Sequence, residues 1–114
     1  MQEERGVERK MEGEHRHTVL AKFKENTDLS VILGELQELV SKLDFVKSYE
    51  WGTAQEGKRH QGFTHVFVIT FFDANGLEEY VAHPAHRAYA IKFVEAVENL
   101  IILDYVPILA KSPA

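Results

Sequence analysis

The order of apolar and polar residues divides the chain into seven elements. From His17 to Phe23, HTVLAKF sets His17, Val19, Ala21 and Phe23 on one side and Thr18, Leu20 and Lys22 on the other, the period of a strand. Asn26, Thr27 and Asp28 then offer side-chain caps. Behind them Leu29, Ile32, Leu33, Leu36, Val40 and Leu43 recur at helical spacing. A second strand is expected over about residues 46–51. The glycine-bounded, charged stretch GTAQEGKRHQG reads as a loop. FTHVFVITFF, residues 63–72, is the strongest strand. Phe63, His65, Phe67, Ile69 and Phe71 point one way, and Thr64, Val66, Val68, Thr70 and Phe72 the other. Both faces are largely apolar, as in a strand covered on two sides.

DANG caps a short helix carrying Leu77, Tyr80 and Val81 on one face. Pro84 suits the first turn of the next helix. In that helix His86, Tyr89, Phe93, Val97 and Leu100 form an inward stripe. IILDYVPI closes the chain as a last strand. The order β-α-β-β-α-α-β predicts a ferredoxin-like α+β plait, with a four-stranded antiparallel sheet and its helices on one face. The other face, around Val66, Val68 and Phe72, needs a cover this chain does not supply. That predicts a homodimer joined through the helix-free sheet faces, a dimeric α+β barrel. The domain is expected over residues 15–109, between a disordered tail at 1–14 and a short tail at 110–114.

Composition narrows the function. The 114 residues suit one domain, and 45% hydrophobic with 27% charged residues is an ordinary soluble balance. No apolar run spans a bilayer, and the Glu-rich start resembles no targeting peptide, so a cytoplasmic protein without membrane contact is expected. The absence of cysteine removes disulfides and thiolate chemistry. A net charge of -5 argues against nucleic acid. QGFTHVFV superficially matches an RNA-recognition strand, but Gln61, His65 and Val68 stand where a basic and two aromatic residues belong.

The candidate chemistry centres on YVAHPAHRAY, residues 80–89. If His17 and His65 face the helices, they meet His86 and Tyr80 around one small cavity, with Phe67, Tyr89, Phe93 and Val97 as further lining. Apolar walls with a few convergent polar groups suit a small molecule, and burial keeps an imidazole neutral and basic. Each of these residues is also ordinary packing material, and an unpaired His65 would cost about 1–3 kcal/mol, so a partner for it is expected. His83 caps the helix and points away from His86; His15 belongs to the solvated tail. Pro84 spoils HPAH as a metal-binding pair, and the inward face lacks a nearby carboxylate, so neither metal nor organic cofactor is expected.

HTVLAKFK, YEWG, QGFTHVF, EYVAHPAHRAYA and LIILDYVP, in this order, resemble the stress-responsive A/B barrel family of plants from His17 to about Pro107. The resemblance implies a dimeric α+β barrel. It also implies an activity, because the family includes a polyketide cyclase that closes a linear poly-β-keto thioester by intramolecular aldol condensation, without a cofactor. In that enzyme the second histidine of HPAH is the general base and a tyrosine six residues earlier supports it; those positions are His86 and Tyr80 here. Its two pocket histidines correspond to His17 and His65. Leu36 replaces a pocket tyrosine, and Val97 a tryptophan. The alternative implied by the same family is a non-catalytic, heat-stable dimer or small-molecule binder.

Overall fold

The computed structural model describes residues 13–111. Most of the expected N-terminal tail, and residues 112–114, lie outside the described residues. Strands β1 (His15–Phe23), β2 (Val46–Thr53), β3 (His65–Phe71) and β4 (Val97–Tyr105) alternate with helices α1 (Leu29–Ser41), α2 (Ala74–Ala82) and α3 (Pro84–Ala96) in the expected order. The sheet runs β2-β3-β1-β4 and every neighbouring pair is antiparallel, a ferredoxin-like α+β fold.

Local chemistry fixes the helix ends. Asp28 caps α1 by accepting from the Val31 N–H, and Asp73 caps α2 by accepting from the Gly76 N–H. Pro84 occupies the first turn of α3, where the His83 ring Nδ1 accepts from the Ala85 N–H at 3.1 Å. The core lies between helices and sheet: Val19, Ala21, Phe67, Ile69 and Phe71 from the strands meet Ile32, Leu36, Leu39, Val40, Tyr80, Tyr89 and Phe93.

Register sorts the opposite face into cross-strand rows. Tyr105, Arg16, Thr70 and Ser48 form one; Leu103, Thr18, Val68 and Glu50 the next; Ile101, Leu20, Val66 and Gly52 a third. No helix among the described residues covers them, and Phe72 and Leu103 are each 54% exposed.

The structure departs from the sequence reading at four places. β3 begins at His65, because Gln61 (φ 52°) and Gly62 (φ 88°) turn the chain through left-handed conformations just before it. His15 is a half-buried residue of β1, not part of a solvated tail. Val81 borders the cavity under the helices beside Tyr80 but stays 47% exposed, while Tyr80 is buried. The helical stripe stops at Ala96, since Val97 is already extended (φ -104°, ψ 147°) and pairs with Phe23. Val97 and Leu100 are therefore strand residues. Among the described residues no helix is long and apolar enough to cross a membrane.

Phe71 is fully buried and lies outside the cavity described below. Phe71→Ala should destabilise the fold by about 3–5 kcal/mol in chemical denaturation. A loss under about 1 kcal/mol would contradict this account of the core.

Candidate functional site

Between α2, α3 and the inward faces of β1, β3 and β4 lies a cavity of about 300 Å³. Its walls are almost wholly apolar, with Phe67, Ile69, Tyr89, Phe93 and Ile102 among them, and Leu36 contributed by α1. Among its lining residues His17, Tyr80, His86 and Asp104 cluster together, and the Tyr89 hydroxyl is committed to the Ile32 carbonyl. That volume is at the lower limit for a small-molecule pocket.

Tyr80 is the centre of the polar end. Its ring lies 4.3 Å from the His86 ring, centroid to centroid, and meets the His17 ring edge-on at 5.6 Å. Burial raises the Tyr80 pKa, reinforced by Tyr49, so the phenol stays protonated as a donor. Burial lowers the His86 pKa; the Val81 backbone opposes this, while His17, His83 and Arg87 add to it. His86 is thus held neutral near pH 7, as a general base must be. Its Nδ1 is enclosed with no hydrogen-bond partner among the described residues.

His17 is anchored differently. Its Nδ1 donates to Asp104 Oδ1 at 2.6 Å, across the β1–β4 pair in which these two residues stand opposite. With Nδ1 committed, Nε2 is the nitrogen free to bond a ligand. Sequence reasoning missed Asp104, and the inward face does carry a carboxylate. The alternation Leu100, Ile102, Asp104 along β4 is the signal that could have found it. No three His, Asp or Glu side chains gather in metal-ligating range among the described residues.

Two expected lining residues stand elsewhere. Antiparallel pairing sets His17 opposite Ile69 and His65 opposite Ala21, so the two histidines are four strand residues, about 13 Å, apart. The His65 ring lies beside those of Trp51 and Phe67, with planes inclined by 16° and 15°, and its Nδ1 is 2.9 Å from the Thr64 hydroxyl, the partner its position demands. Phe23 packs edge-on against it at 5.1 Å. Burial lowers the His65 pKa as well. Val97 is buried at the α3–β4 junction and does not line the cavity. His17, Phe67, Tyr80, His86, Tyr89 and Phe93 do come together.

A third phenol stands close by. The Tyr49 hydroxyl is shielded from water with no partner among the described residues, and burial pushes its pKa up to about 12. Burial raises the pKa of Tyr89 as it does that of Tyr80, Tyr49 adding to both, and the Tyr89 hydroxyl donates to the Ile32 carbonyl at 2.8 Å.

A four-stranded antiparallel sheet with three helices and an apolar cavity beneath them defines a ferredoxin-like α+β domain. The chain belongs to the stress-responsive A/B barrel domain family, whose model matches residues 16–107. It is 38% identical over 99 residues to the stress-response A/B barrel domain-containing protein At5g22580 of Arabidopsis thaliana, covering 85% of this chain and 89% of that one. It is 26% identical over 96 residues to olivetolic acid cyclase of Cannabis sativa, covering 81% and 95%. Among solved structures, hydroxynitrile lyase from Passiflora edulis superposes with a TM-score of 0.79 at 22% identity over 90% of this chain and 99% of that one. A Jannaschia protein described as dimeric and ferredoxin-like gives 0.71 at 20% identity over 81% and 97%.

Two stability measurements follow from these environments. Tyr49→Phe deletes a shielded, unpaired hydroxyl, so the melting temperature should hold or rise; a fall would reveal a hydrogen bond this geometry lacks. His65 and His86 both titrate below the ordinary value of about 6.5, so the unfolded chain takes up protons first as pH drops. Their contribution is complete above about pH 6.5 and is lost below it. The melting temperature should fall from about pH 7 to about pH 5, and fall less in a His65→Gln, His86→Gln double variant. An equal fall in that variant would exclude these two rings as the cause.

Proposed function

We propose that the chain is a cofactor-independent, cyclase-like enzyme that closes a linear poly-β-keto thioester by intramolecular aldol chemistry. The observation that carries this reading is the 4.3 Å pairing of the His86 and Tyr80 rings at the wall of an apolar cavity. His86 is the base that removes a proton from the methylene between two carbonyls. The carbanion then attacks a distant ketone carbon of the same chain, and the imidazolium returns the proton to the new alkoxide. Tyr80, held protonated, donates to the carbonyl oxygen on which charge gathers. His17, oriented by Asp104, is a second polar handle, while Phe67, Tyr89 and Phe93 fold the apolar chain. His65 and Val97 leave the set of substrate contacts. The base supplies about 10²–10⁴-fold and confinement of the chain at least as much.

Resemblance to olivetolic acid cyclase supports this reading, and a lyase on the same fold is compatible with it. The same proposal includes a homodimer in which Leu20, Val66, Val68, Ile101 and Leu103 of two helix-free faces meet; a neighbour described as dimeric supports it. Such a face can supply the roughly 800 Å² per partner of a standard interface. The cysteine-free chain needs no oxidising compartment, in keeping with a cytoplasmic setting.

The test is incubation with a polyketide synthase and its starter thioester, scoring cyclised products. Wild-type protein should change the product spectrum, and His86→Ala should lose at least about 100-fold of that activity with its melting temperature preserved. Turnover retained in His86→Ala would exclude His86 as the base. A spectrum unchanged by the wild-type protein across several starters would leave the alternative, a non-catalytic, heat-stable dimer or binder.

A further inference from the structure

The inference below rests on the proposed homodimer and concerns what aligns its two halves. At one end of the helix-free face lies a polar basin of about 530 Å³, bordered by Glu14, Arg16, Lys47, Ser48, Glu50 and Thr70. Its four charges sum to zero, but they are not all paired. Lys47 is bonded to Glu14. Arg16 reaches Glu14 only at 3.7 Å, and its Nε is shielded from solvent without a partner among the described residues. Glu50 takes part in no ion pair among the described residues.

Arg16 and Glu50 are not paired with each other within the described residues of one chain. They lie in adjacent rows on the same face, with β3 between their strands, roughly 12 Å apart. A second copy laid over the face would strip water from both, and a charge left single under a dry interface is strongly disfavoured. Twofold symmetry offers a remedy, because any contact between one residue and a second on the partner is made twice.

We propose that Glu50 of each copy pairs with the partner's Arg16, and that these two reciprocal ion pairs set the register of the dimer. The twofold axis that achieves this runs diagonally across β3 between Val68 and Thr70, toward Leu20 and Ile101. Leu20 and Ile101, nearest the axis, are then laid against their own copies. Sliding the sheets by one row takes both glutamates off the arginines. The apolar residues alone, all branched aliphatics of similar shape, distinguish such placements weakly. The charges discriminate between them.

Charge reversal tests this directly, with the dimer dissociation constant read by sedimentation on variants whose circular dichroism matches the wild type. Glu50→Arg and Arg16→Glu should each weaken the dimer at least about tenfold, and the double variant should return to within about threefold of wild type. Glu50→Gln, which keeps the shape, should weaken it less and flatten its salt dependence. Single variants with the wild-type constant, or a double variant weaker than either single, would overturn the ion pair while leaving the dimer. A wild-type chain that sediments as a monomer would remove the dimer itself.

Discussion

The junction between α2 and α3 is the constraint on which the polar end of the cavity depends. Two helices must meet there at an angle that turns one residue of each toward the same space. Pro84 cannot continue α2, because its ring excludes the helical hydrogen bond, yet it is well placed to begin α3. His83 completes the break: its backbone N–H donates to the Tyr80 carbonyl, closing α2, and its ring nitrogen opens α3. Tyr80 in the last turn of one helix and His86 in the first turn of the next are thereby brought ring to ring. HPAH serves the site as a corner, and only its second histidine reaches the cavity.

The sheet contributes by register. One antiparallel pairing sets His17 against Asp104, and another removes His65 four residues along β3. The same inward face thus holds two histidines in different surroundings, one oriented by a carboxylate beside the cavity and one packed among aromatic rings. The opposite face obeys the same pairing, and its rows grade from polar at Arg16 to apolar at Leu20. A single arrangement of four strands therefore sets both the cavity and the surface through which two copies are proposed to meet.

What the sequence conveyed was local. Period-two alternation in β1 and β3 assigned the inward residues, and Asp28, Asp73 and Pro84 marked helix starts where the structure has them. The elements, their order and the ferredoxin-like architecture were legible on those grounds. The His17–Asp104 bond was not, because it joins positions 87 residues apart through a strand pairing that alternation leaves unspecified. Val97 misled because inward positions at the end of α3 continue in phase into β4, and helical spacing cannot register that the backbone has become extended. His65 misled for a related reason: facing the helices is a property of one strand, while meeting His86 is a property of three elements. Tyr49 carried no signal, since an unpaired hydroxyl is visible only once its surroundings are known.

The central claim is that the ring of residue 86 is neutral and open to an apolar carbonyl compound entering beneath the helices. Nitrogen NMR of the histidine side chains, titrated with pH and then with hexanophenone as probe, tests it in one experiment. The expected result is a midpoint for this ring below about 6.5, with displacement of its signals as the ketone binds. A midpoint at or above that value, with signals indifferent to saturating ketone, would contradict it.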